Sequence, residues 1–157
     1  MHRIIGTRKI VSDSWTYPFL RQSRLAHLAT SSKDGTPHVV PICFALDGKK
    51  IYVSIDNKPK RVEPKNLRRV LNISENPKVS IVVDSYTEDW RKLRYVIVQG
   101  LAKIIHGGSE HKRAVTLLRR KYRQYLLMSI EKRPIVRIRL VRLAAWRSST
   151  RSSERFS

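Results

Sequence analysis

The chain has 157 residues, with 33 lysines and arginines against 12 aspartates and glutamates, giving a formal net charge of +21. That length suits one domain, and 41% hydrophobic residues supply a single core without disulfide support. A lone cysteine, Cys43, excludes an internal disulfide and a multi-cysteine zinc site, and no apolar run approaches the roughly 20 residues that span a bilayer.

These features lead to the expectation of a cytoplasmic protein with no membrane insertion and no secretory leader in M-H-R-I-I-G-T-R-K-I-V. The charge leaves two readings open: a polyanionic partner such as nucleic acid, or a generally basic, solvated surface.

In chain order, Ser12 and Asp13 can cap a short helix running to about Ser23, with Pro18 limiting it to a first turn or a broken helix. Leu25 to Thr30 then reads as a strand, Lys33-Asp34-Gly35 as a tight turn, Pro37 to Leu46 as a second strand, Asp47-Gly48 as a turn and Lys50 to Ile55 as a third strand. The nearly continuous apolar run Val39 to Leu46 predicts burial on both faces, and Pro41 within it requires a bulge or an unpaired backbone position. Pro64 opens a two-turn helix with Leu67, Val70 and Leu71 on its buried side and its cations outward.

Lys78 to Asp84 and Leu93 to Ile105 are Val- and Ile-rich strands, separated by the polar loop Ser85 to Trp90. Gly107-Gly108-Ser109 ends the second of these and caps an amphipathic helix from about Glu110 to Met128, striped by Ala114, Leu117, Leu118, Lys121 and Tyr125. A last strand, Ile135 to Trp146, slips phase at Val141-Arg142 as a bulge does, and Trp146 at its end reads as a core or dimer contact. Residues 1–146 are expected to form one domain, and 147–157 a basic Ser/Arg-rich disordered tail. About six strands with only two or three helices predict an α+β barrel rather than a doubly wound sheet.

No side-chain constellation for catalysis emerges, because Asp34 and Asp47 sit in turns and Asp84, Glu88 and Asp89 gather near one loop without a base beside a nucleophile. His27, His38, His106 and His111 lack metal-ligand spacing. The stronger signal is a cradle for an anion: Ser54 at a strand end, Lys58 and Lys60 about Pro59, then Lys65, Arg68 and Arg69 in the following turn and helix.

The segments H-L-A-T-x-x-x-D-G-x-P-H-V-V-P-I-x-F-A-L-D-G, V-S-I-D-N-K-P-K, L-R-R-V-L-N-I-x-x-N-P-K-V-S-I-V-V-D and V-x-G-L-A-K-I resemble the pyridoxamine-phosphate-oxidase-like split barrels, in the branch that uses the deazaflavin coenzyme F420. The resemblance spans roughly Arg24 to Trp146. It implies a six-stranded antiparallel split β-barrel with flanking helices, and a homodimer holding its cofactor at the interface.

The same resemblance puts Val39, Val40, Pro41 and Ile42 against the ring, Ser54, Lys58 and Lys60 on the phosphate and Asn66 close by. Arg61 and Lys65 are further candidates for the cofactor there, in a stretch that is longer here than in other deazaflavin-binding members. Tyr86 and Trp90 either line the substrate mouth or pack under a loop.

The implied activity is hydride transfer between coenzyme F420 and a small organic substrate, with FMN as the alternative cofactor and a non-catalytic flavin- or nucleic-acid-binding module as the alternative class. The ending A-A-W-R-S-S-T-R-S-S-E-R-F-S lacks the Arg/His-containing substrate segment of the FMN-dependent oxidases, which points away from vitamin B6 synthesis.

Overall fold

The computed structural model describes residues 13–55 and 63–148. Helix α1 (Thr16–Gln22) precedes four strands, β1 (Ala26–Ser31), β2 (Pro37–Ile42), β3 (Ala45–Asp47) and β4 (Lys50–Ser54). Then follow α2 (Arg68–Glu75), β5 (Lys78–Ser85), β6 (Arg94–Ile105), α3 (Ser109–Lys121) and β7 (Ile135–Arg147).

All seven strands join one antiparallel sheet in the order β2-β1-β5-β6-β7-β4-β3. Its two edge strands, β2 and β3, are separated in sequence only by Cys43 and Phe44, so the sheet must curl until its edges approach. This is the split-barrel architecture, with seven strands where six are expected. The expected strand from Pro37 to Leu46 is divided because the chain leaves one edge of the sheet and enters the other.

Its edge position also accommodates Pro41, whose nitrogen has no proton to donate to a neighbour. Burial on both faces does not hold for β2: exposed and half-buried residues alternate along it, and Val39 is 61% exposed. An edge strand has one face on the core and no second layer over the other.

Two apolar clusters fill the fold. Inside the curl, Leu28, Phe44, Ile51, Val53, Ile81, Val96, Val98 and Ile138 pack with Phe19 and Leu20 of α1 and Val70 and Ile73 of α2. On the outer face, α3 lays Ala114, Val115 and Leu118 over Ala45, Tyr52 and Ile135. The helix stops at Lys121, not Met128, and the chain continues as a tighter turn of 3-10 helix at Arg123–Leu127, which carries the expected stripe residue Tyr125 into this cluster.

Helix α1 also begins later than expected, and Ser12 lies outside the described residues. Pro18 is its third residue, where a missing N–H leaves no hydrogen bond unmade.

The register of β6 on β7 shifts between Gln99 and Gly100, whose partners Arg142 and Leu140 skip Val141. The expected bulge is therefore present. A Cβ on Gly100 would lie 2.6 Å from Ile138 Cγ2 and 2.7 Å from the Arg139 carbonyl oxygen, so only glycine permits this approach. Trp146 is half exposed and outside both clusters, stacked on Tyr95 at 5.6 Å between ring centroids. Ser148 still bonds through its N–H to the Leu93 carbonyl, one residue past β7.

Candidate functional site

A cavity of ≈ 420 Å³ opens where β2, the end of β4 and the chain after α3 meet. One wall is apolar, from Val40, Pro41 and Ile42; another is aromatic, from Tyr122 and Tyr125. Its size lies within the roughly 300–1,000 Å³ of small-molecule sites.

Ser54 is placed by its pairing opposite Ile135 and is 4% exposed, with its Oγ making no hydrogen bond among the described residues. Such a hydroxyl costs stability unless a ligand completes it. Arg69 also lines this cavity and is 8% exposed. The expectation that the α2 cations face outward fails at this residue. A 3-10 turn occupies Pro64–Asn66, Leu67 is the extended N-cap, and helical phase starts at Arg68, which turns Arg69, Val70, Asn72 and Ile73 inward and leaves Leu71 exposed.

The tyrosines are fixed from behind. The Tyr122 hydroxyl accepts the Phe44 N–H at 3.1 Å and has the carbonyls of Arg24 and Phe44 in reach at 2.9 and 3.1 Å. Burial pushes the Tyr122 phenol up to about 12, so it remains a neutral hydrogen-bonding group. Next to it, the Lys121 ammonium lies 3.9 Å from the Phe44 ring centre and makes no hydrogen bond among the described residues. Burial, and then the neighbouring Arg24 charge, lower its pKa to about 8.

The residues expected at the site separate into three groups. Val40, Pro41, Ile42 and Ser54 share this cavity, whereas Val39 is exposed and does not line it. Lys65 and Asn66 are exposed in the Pro64–Asn66 turn and do not line it. Lys58, Lys60 and Arg61 lie outside the described residues; the chain leaves for them from Ile55, adjacent to Ser54.

Tyr86 and Trp90 belong to the β5–β6 connection, are 66% and 68% exposed, and do not line the cavity. Tyr122, Gln124 and Met128 also line this wall, and the sequence hides them because an amphipathic pattern continues past Lys121 with no glycine or proline to mark the helix stop there.

No carboxylate or imidazole among the described residues lines the cavity. His111 donates through its Nε2–H to the Arg133 carbonyl at 2.7 Å, a packing role, and no three His, Cys, Asp or Glu side chains among the described residues could hold a metal. On the basic face of α3, Arg113 is committed to Asp47 and Arg119 to Glu131.

Across its length the chain is similar in fold to a conserved hypothetical protein of Mycobacterium tuberculosis, with TM-score 0.72, 22% identity, and 98% and 96% of the two chains covered. It is also similar to a solved F420 reductase, with TM-score 0.64, 24% identity, and 85% of this chain and 98% of that one covered. In sequence it is 28% identical over 96 residues to the 5a,11a-dehydrotetracycline/5a,11a-dehydrooxytetracycline reductase of Streptomyces rimosus; the match takes in 60% of this chain and 65% of that enzyme. The family model of pyridoxamine 5'-phosphate oxidase matches residues 17–147, from the start of α1 to the end of β7, and the chain therefore belongs to the pyridoxamine 5'-phosphate oxidase family.

Proposed function

We propose that this protein is a flavin- or deazaflavin-dependent oxidoreductase that passes a hydride between coenzyme F420 and a small organic substrate. The observation that carries the reading is the buried, unpartnered Ser54 hydroxyl facing a cavity with one apolar and one aromatic wall. These walls fit a flat heteroaromatic ring, and the hydroxyl with Arg69 fits an anionic group beside it. The reductase of Streptomyces rimosus and the F420 reductase support the class of chemistry.

In this reading Val40, Pro41 and Ile42 lie along the ring, while Ser54, Lys58 and Lys60 hold the phosphate with Arg61, Lys65 and Asn66 around it. The bound cofactor supplies the hydride, and the chain's own residues orient the ring and exclude water. The exposed outer face of β2, with Val39 at its centre, is the surface that a second copy covers in a homodimer. The free Cys43 thiol suits the reducing cytoplasm where the reading places the protein.

The test is a side-by-side titration of coenzyme F420 and FMN into the wild type and Ser54→Ala, followed by tryptophan fluorescence and cofactor absorbance. The expected result is preference for F420 and a loss of about 10- to 100-fold for Ser54→Ala, which removes one hydrogen bond to a charged group. Because Oγ has no partner among the described residues, the same variant is expected to retain its unfolding midpoint. Preference for FMN moves the protein to the flavin branch, and binding of neither cofactor overturns the reading.

A further inference from the structure

A second cavity, of ≈ 830 Å³, lies between the β5–β6 connection and the end of β7. Arg94 opens β6 and Arg147 closes β7, and the two are directly opposite in the antiparallel register. Like charges so placed repel, and sheets ordinarily avoid them.

Both arginines stand on the core-facing side of their strands, in step with Val96 and Val98 on β6 and with Leu143 and Ala145 on β7. Neither makes an ion pair among the described residues. Instead the Arg94 guanidinium lies 4.4 Å from the Phe19 ring centre, and that of Arg147 lies 5.6 Å from Trp15.

The remaining polar lining adds donors. Ser85, which is paired with Arg94 across β5 and β6, contributes a hydroxyl, as do Thr87 and Ser148. Arg91 and Lys92 complete the cationic rim, and Asp89, which holds both, does not line the cavity. The other nearby acids are turned away: Asp84 shares the outward face with Tyr95, and Glu88 accepts from the Tyr86 hydroxyl.

We propose that this cleft binds the phosphate group of a small phosphorylated ligand, with Arg94 and Arg147 as paired guanidinium contacts. Two forks and three hydroxyls offer more donors than the two oxygens of a carboxylate can use, whereas the three free oxygens of a phosphate match them. A bound anion also removes the repulsion that the register imposes. The site is independent of the Ser54 cavity, because the 13 residues of β7 run from Ile135, beside Ser54, to Arg147.

The experiment compares tripolyphosphate, inorganic phosphate and citrate at fixed ionic strength, by calorimetry and thermal unfolding of the full chain. The proteins are wild type, Arg147→Gln, Arg147→Lys and, as a control for general charge, Arg120→Gln on the exposed face of α3. Wild type is expected to bind both phosphates in preference to citrate; if only tripolyphosphate binds, the ligand is a polyphosphate and not a monoester.

Without ligand, Arg147→Gln should melt higher than wild type, since the opposed charge is gone, yet bind tripolyphosphate about ten-fold more weakly. Arg147→Lys, which keeps the charge and loses the fork, should fall between, and Arg120→Gln should stay within about two-fold. Equal losses in Arg147→Gln and Arg120→Gln, or citrate binding as tightly as tripolyphosphate, would overturn the proposal. F420 or FMN affinity unchanged in Arg147→Gln separates this site from the cofactor reading.

Discussion

At the start of β7, beside Ile135, Ser54 faces apolar and aromatic walls; at its end, Arg147 and Arg94 face a cleft of cations and hydroxyls. The two cavities differ in what covers them. The chain after α3 brings Tyr122 and Tyr125 over the first, and each is packed on the outer cluster. Helix α1 brings Trp15 and Phe19 under the second, where the rings support guanidinium groups. One sheet thus presents a surface suited to a flat ring at one end and to an oxyanion at the other.

The strongest way to break this comparison is Gly100→Ala, because the bulge it permits sets the phase of β7 between the two ends. The new methyl meets backbone that cannot yield, so stability should fall by about 1–3 kcal/mol in urea unfolding, with weaker binding in both cavities. Loss at one end alone would show that the ends are not tied through this strand.

Tyr122→Phe acts on the first cavity only. It strands the buried Phe44 N–H, at a cost of about 1–3 kcal/mol, and should loosen cofactor binding while leaving tripolyphosphate affinity as it was.

A smaller effect is expected from Lys121→Met, read through pH. The folded-state pKa lies near 8 against an ordinary 10.5. Between those values the unfolded chain holds more protons, so stability contributed by this residue rises as pH increases from about 8 to 10.5 and is absent below that window. The variant should be more stable than wild type at pH 7 and lack that rise; urea midpoints at pH 7 and 10 that move in parallel for the two proteins would contradict the burial of the ammonium.

The smallest expected change is from Trp90→Ala, within about 0.5 kcal/mol because the side chain is mostly exposed. Cofactor affinity measured on this variant sharpens the contrast further: a marked loss would bring the β5–β6 connection to the Ser54 cavity.

Much of the local structure is legible without coordinates. Alternating apolar residues mark β5, β6 and β7, Asp34-Gly35 and Asp47-Gly48 mark the turns, and the phase slip at Val141 marks the bulge. Of the site, Val40, Pro41, Ile42 and Ser54 are legible from the family motifs, and they do meet in one cavity. Arg69 is legible as a member of the cationic cluster, but its inward turn is not: a continuous helix from Pro64 points it to solvent, and the extended Leu67 shifts that phase by a few residues. Tyr122 is hidden for a similar reason, since the end of α3 is held by tertiary hydrogen bonds to Arg24 and Phe44 rather than by a local stop signal.

By itself the sequence determined the strand-rich α+β class, the turns, the strongly basic surface and the family, since each depends on residue type and spacing within a short window. Only the tertiary structure decided that one apolar run becomes two edge strands, that Arg69 turns inward, and that Arg94 stands opposite Arg147. Those features depend on sheet curl and strand register, which are set by contacts between residues dozens of positions apart.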